Sequence, residues 1–192
     1  NPKGIKYLTD LTLIGKYNLN GNPLDLNNFY TILVGSDSEL DDSEFHEVKI
    51  TSNYTLKHNI NANVSIVGGE YQATTVVIPQ DVAVAITGNL TVGGGGQCSG
   101  TLENNGTLTC TGNVMFKSSD GTGYYKPSAD SKLIVKGNLE LKTSGKVGYY
   151  VDKGTIEFAG TEQQEIYLYS AYVIEISNTS DKGIIFTSKI SV

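Results

Sequence analysis

Tyrosine supplies the most suggestive chemistry in this chain. Tyr124-Tyr125 and Tyr149-Tyr150 each follow a glycine, and the two pairs are 25 residues apart. An outward tyrosine is a good platform for a sugar, because its body is apolar and its tip is polar. Neighbours in a strand face opposite ways, so one tyrosine of each pair is expected outward and the other inward. The competing reading is a purely structural aromatic ladder between adjacent strands. Tyr167, Tyr169 and Tyr172 could extend that surface but fall outside the 25-residue phase.

Carboxylates come next. Asp37, Glu39, Asp41, Asp42 and Glu44 form an acidic run that offers the oxygen ligands Ca²⁺ prefers. A helix-loop-helix calcium loop starting at Asp37 needs Gly at its sixth place and Glu at its twelfth, where Asp42 and Val48 stand. The alternative is a solvated loop. Glu103, Glu140, Glu157 and Glu165 are scattered, and nothing in their spacing converges into the acid pair of a glycosidase. His46 and His58 are the only histidines and have no metal-site spacing. Cys98 and Cys110 leave two readings: a buried core thiol at Cys110, or a disulfide between them. Gly93-Gly94-Gly95-Gly96 is followed by neither Lys-Ser/Thr nor a helix, so it reads as a bend and not a phosphate loop.

Composition excludes several classes. The 192 residues carry a formal net charge of -6, and all 14 cations are lysine. Without clustered cations a nucleic-acid surface is not expected. No apolar run approaches the ~20 residues of a membrane helix. Two cysteines are too few for a disulfide scaffold. Glycine, at 22 residues, is about 11% against a usual ~7%. The first residues lack the charged and apolar regions of a signal peptide, so such a peptide is expected to be absent or removed.

The elements that must position these side chains come from a repeat. Residues 82–92, 106–116 and 131–141 superimpose as strand, Gly-Asn, strand. The pairs are Gly88-Asn89, Gly112-Asn113 and Gly137-Asn138, spaced by 24 and 25 residues. Residues 154–160 form a looser fourth copy and residues 172–178 a fifth. Within each copy apolar and polar residues alternate, so one face is buried. Stacking the copies predicts four apolar columns. They are Val84-Leu108-Leu133-Ile156, Ile86-Cys110-Val135-Phe158, Leu90-Val114-Leu139 and Val92-Phe116-Leu141. The Gly-Asn pair is expected to turn a corner through positive φ, which both residues tolerate.

A coil of two or three strands cannot bury its inner face alone, so the coils must stack. The predicted fold is all-β: a right-handed parallel β-helix (β-solenoid) with coils of about 24 residues, the hand following the usual parallel crossover. The length gives room for about eight coils, ~38 Å of rise at the parallel strand spacing. Residues 1–192 read as a single domain, clearest over 82–192. The N-terminal coils are irregular, with an acidic protruding loop at 35–47. The closing strand-like residues predict a segment of a longer protein whose ends are covered by neighbouring domains of the same parent chain.

The Gly-Asn-Leu-Thr-Val string at 88–92, the Gly-Thr-Leu-Thr string at 106–109 and the Phe-Ala-Gly-Thr-Glu-Gln-Gln-Glu-Ile string at 158–166 resemble repeats of adhesin-like, haemagglutinin-like bacterial β-solenoids. The resemblance covers roughly residues 82–192, and the rest only in style; its motif is degenerate. It implies a secreted, cell-surface setting and carries no catalytic residue.

The expected role is therefore structural and adhesive, without catalysis. A carbohydrate-binding module using the tyrosine face is the first alternative. A polysaccharide-active enzyme is the second, and the lack of arginine removes the base that pectate-type lyases commonly use. Expected partners are glycans or a host or cell-surface protein. No cofactor is called for beyond the Ca²⁺ weighed above.

Overall fold

The computed structural model describes residues 5–6, 11–13, 24–25, 31–34, 44–94, 97–117, 121–141 and 151–191, with side chains described from residue 47 onward. Every regular element among them is a strand, and every strand pairing is parallel. The early strands are β1 (Ile5–Lys6), β2 (Leu11–Leu13), β3 (Leu24–Asp25), β4 (Thr31–Val34), β5 (Glu44–Ile50) and β6 (Tyr54–Thr55). A regular course follows: β7 (Asn61–Ile66), β8 (Thr74–Ile78), β9 (Ala83–Ile86), β10 (Leu90–Val92), β11 (Gly100–Asn104) and β12 (Thr107–Cys110). It continues through β13 (Val114–Phe116), β14 (Gly123–Pro127), β15 (Lys132–Val135), β16 (Leu139–Leu141) and β17 (Thr155–Phe158). The last strands are β18 (Gln164–Tyr167), β19 (Val173–Ile176) and β20 (Ile184–Phe186).

These strands form the faces of a parallel β-solenoid. Sheet A runs β2-β4-β5-β7-β10-β13-β16-β18-β20, sheet B runs β14-β11-β8-β6 and sheet C runs β19-β17-β15-β12-β9; β1 pairs with β3. Each full coil has three strands. About five such turns are present, not eight equal ones. Sheet A shows why: Ile32, Val48 and Val64 are successive rungs only 16 residues apart, so the early coils are shorter than the later ones. Residues 44–47 of the expected acidic loop belong to β5; the rest of that loop lies outside the described residues.

The four predicted columns are the register of the sheets. Val84, Leu108, Leu133 and Ile156 are successive partners, and so are Ile86, Cys110, Val135 and Phe158. Leu90, Val114 and Leu139 stack in sheet A beside Val92, Phe116 and Leu141. All of these are buried. Burying one such aliphatic or aromatic side chain is worth roughly 1.5–3 kcal/mol, against at most ~1 kcal/mol for an exposed ion pair. The inward columns therefore decide the fold, and surface charge adjusts it.

Two polar residues sit within this core with their groups satisfied. Asn104 donates through Nδ2 to the Tyr125 hydroxyl (3.3 Å) and to the Lys132 carbonyl (3.1 Å), and its Oδ1 accepts from Gly106 N–H (3.2 Å). Gln164 accepts from Gly160 N–H at 3.0 Å and donates to the Val135 carbonyl at 3.1 Å. Gln164 thus ties together the longer turn of the fourth copy, where six steps lead from Gly160 to Ile166 against two from Gly137 to Leu139, the register partner of Ile166.

Both cysteines are free. Cys110 is a core thiol, placed 3.2 Å from the Gly88 carbonyl. The disulfide reading is replaced by the buried-thiol reading.

Candidate functional surface

The Gly-Asn corners are built differently from the sequence expectation. Gly88, Gly112 and Gly137 are not among the residues with positive φ, and neither are Asn89, Asn113 and Asn138. The requirement is close approach. A Cβ on Gly88 would lie 2.5 Å from the Ala62 carbonyl oxygen. On Gly112 it would lie 2.6 Å from both the Gly88 carbonyl and Asn89 Oδ1, and on Gly137 2.6 Å from Gly112 and Asn113 Oδ1. The glycines stack backbone on backbone: Gly112 N–H donates to Gly88 (3.1 Å) and Gly137 N–H to Gly112 (3.2 Å).

The asparagines run beside them as a second column. Each Oδ1 accepts the N–H of the residue one coil further on: Asn63 from Asn89, Asn89 from Asn113, Asn113 from Asn138 and Asn138 from Glu165, all at 2.8 Å. Asn63 was missed in the sequence because Ala62 precedes it where the other copies have glycine. These corner residues are structural: they lock the register of successive coils.

Of the tyrosines, Tyr125 is inward and Tyr124 outward, as strand alternation requires. Tyr125 is buried with its ring 5.5 Å from that of Phe116, and burial pushes its hydroxyl up to about 12. Tyr124 is 37% exposed and stands in the column Thr75, Thr101, Tyr124 on the outside of sheet B. Tyr149 and Tyr150 lie outside the described residues, as do Asp37, Glu39, Asp41 and Asp42. A second aromatic feature emerges on the outside of the solenoid. Tyr167 and Tyr169 meet edge to face with ring centres 5.4 Å apart and hydroxyls 2.7 Å apart. The hydroxyl–hydroxyl hydrogen bond, slight burial and the charges of Tyr169 and Glu140 raise the Tyr167 pKa. Their i, i+2 spacing put them on one face, which was legible; the contact was not.

Charge on sheet C is paired. Lys132 Nζ lies 2.7 Å from Glu157 Oε2 and 2.7 Å from Glu175 Oε2. Hydrogen bonds donated to both carboxylates raise the Lys132 pKa; Lys132, then Ser177, lowers that of Glu157. Glu157 and Glu175 are direct register partners, so the lysine separates two like charges. Glu103, Glu140, Glu157 and Glu165 lie on four different strands, β11, β16, β17 and β18.

An open hollow lies at the turn from sheet B to sheet C, lined by Gln80, Asp81, Asn105 and Asp130 among others. Asp81, Asn105 and Asp130 each stand two residues before the register partners Ala83, Thr107 and Lys132. Among the described residues no group of three or more His, Cys, Asp or Glu is placed to hold a metal ion.

Comparison with known proteins finds no matching family model, no matching curated protein and no matching solved structure.

Proposed function

We propose that this chain is a non-catalytic structural and adhesive segment of a secreted bacterial cell-surface protein, of the adhesin-like β-solenoid kind. One observation carries the reading: the inward columns run unbroken from coil to coil, and the Gly and Asn columns lock each coil onto the last. Such a body is stiff along its axis and presents its outer faces to partners. Glycans or a host or cell-surface protein are the partners this role calls for.

A carbohydrate-binding reading rests on the outward Tyr124 and on the Tyr167–Tyr169 pair beside Glu140, which join apolar ring faces to hydroxyl and carboxylate groups. A polysaccharide-active reading rests on Asp81 and Asp130, which line the same open hollow.

A panel of glycans and polysaccharides, with and without Ca²⁺, separates these readings. The structural reading expects no release of sugar products. Release that is lost in Asp81→Asn/Asp130→Asn would overturn it. Binding lost in Tyr124→Ala or in Tyr167→Ala/Tyr169→Ala would make the protein a lectin-like module. Binding that needs Ca²⁺ but neither tyrosine set would move the site to the acidic run at 37–44.

A further inference from the structure

The chain carries two Asn-Gly pairs, Asn20-Gly21 and Asn105-Gly106. Such a pair can react with itself. The glycine nitrogen, once it has lost its proton, attacks the asparagine Cγ. The Cγ–Nδ2 bond breaks, Nδ2 takes up the proton and leaves as ammonia, and a five-membered succinimide remains. Water then opens either ring carbonyl and gives aspartate or isoaspartate. Glycine favours the step because no Cβ shields its nitrogen or restrains its backbone. The reaction consumes only water.

Asn105 is partly exposed, so water and base reach it. Its surroundings nevertheless oppose each part of the step. The nucleophile is occupied, since Gly106 N–H donates to Asn104 Oδ1 at 3.2 Å, an Asx-turn. Asn104 is fully buried, and its Nδ2 is anchored on the Tyr125 hydroxyl and the Lys132 carbonyl. The electrophile is tethered too: Asn105 Nδ2 donates to Glu103 Oε1 at 3.5 Å, on the strand before it. The backbone is fixed on both flanks. Asn105 N–H donates to the Ile78 carbonyl and Thr107 N–H to the Val82 carbonyl, each at 2.9 Å. A Cβ on Gly106 would collide with the Val82 carbonyl oxygen and lie 2.5 Å from that of Pro79, so the seated turn has no room for a ring.

We propose that Asn105 is a latent modification site. Asn104 seals it while the coil is seated, and it converts to aspartate or isoaspartate when the turn from sheet B to sheet C opens. The conversion is one-way. Isoaspartate adds a carbon to the main chain between the bonds to Ile78 and Val82, and a coil carrying it cannot regain both. Either product puts a third carboxylate beside Asp81 and Asp130 in the hollow. The site thus keeps a covalent record of opening at this coil. The inference is independent of any ligand for the outer faces.

Peptide mapping by mass spectrometry tests this on the 192-residue chain in mildly alkaline buffer, folded and in urea. In urea Asn105 and Asn20 are expected to convert at similar rates. In the folded chain Asn105 is expected to convert about 100-fold more slowly, as for a site that reacts only through local opening. Asn104→Ala removes the acceptor, whereas Asn104→Asp keeps one in the same place. With far-UV circular dichroism showing both folded, Asn104→Ala is expected to lose most of the protection and Asn104→Asp to keep most of it. If Asn104→Ala does not fold, hydrogen exchange of the parent decides. Below the unfolding midpoint, added urea is expected to raise exchange at Gly106 and conversion at Asn105 by the same factor. Conversion in the folded parent as fast as in urea overturns the inference. So does full protection in folded Asn104→Ala, or conversion that stays constant while exchange at Gly106 rises.

Discussion

Gly112 shows how little room a corner leaves. Its missing side chain is replaced by the Gly88 carbonyl and Asn89 Oδ1, both 2.6 Å from where a Cβ would stand. Gly112→Ala must push two coils apart or tilt one, and overpacking of this kind costs typically ~1–3 kcal/mol. Gly69→Ala meets its nearest atom only at 3.4 Å and is expected to be nearly neutral. Urea midpoints of the two variants check the contrast; equal midpoints would remove close approach as the reason for glycine. Cys110 gives a pH test. Its ordinary pKa of 9.0 is raised to about 11 by burial, opposed by hydrogen bonding to the backbone of Gly112 and Leu90. Below pH 9 the thiol is neutral in both states and stability does not depend on it. Between about 9 and 11 the unfolded thiol ionises while the folded one holds its proton, so stability falls through that window. In Cys110→Val, which matches the Ile86 and Val135 rungs, this part of the fall is expected to vanish. Tyr125, raised to about 12, leaves a later decline from pH 10 upward in both proteins.

At the scale of strands, Lys132 joins β15 to β17 and β19. Removing it leaves Glu157 facing Glu175 directly. Lys132→Gln is expected to cost about 0.5–1 kcal/mol at low salt, because the pairs are partly exposed, and added salt is expected to recover most of it by screening the two carboxylates. Thermal melts at two ionic strengths measure this, and a salt-independent loss would mean that packing of the lysine stem matters more than charge. The strands themselves were largely legible. Period-2 alternation fixed which residues face inward, and the 24- and 25-residue steps between Gly88, Gly112 and Gly137 fixed which residues stack, so every predicted column matches the register. What could not be read depends on contacts between coils. The period marked Gly112 but not the close approach that requires it, and the acceptor role of Asn63 and the hydrogen bonds of Gln164 have no periodic signature. The short early coils were hidden for a related reason: a 16-residue step breaks the only period that revealed the others. For the outer surface, alternation placed Tyr124 outward and Tyr125 inward, but a single sequence does not record which exposed tyrosines touch.

For the molecule as a whole, stability is close to a sum of coil and interface terms. The ends of such a stack open before its middle. Amide hydrogen exchange is expected to be fastest in β19 and β20, which pair on one side among the described residues, slower in β17 and β18 next to them, and slowest in β12 and β13, two coils further in. Uniform protection from β12 to β20 would show that the coils unfold as one unit.

The parallel stacking has a mechanical consequence. The bonds between coils point along the axis, so tension between the two ends loads them one layer at a time. A seated coil occupies ~4.8 Å of that axis; the same ~24 residues drawn straight span about 80 Å. Each layer that yields therefore pays out more than ten times its seated length while the layers behind it stay closed. Pulled hard, the molecule is a tether that lengthens in steps and absorbs work at each one.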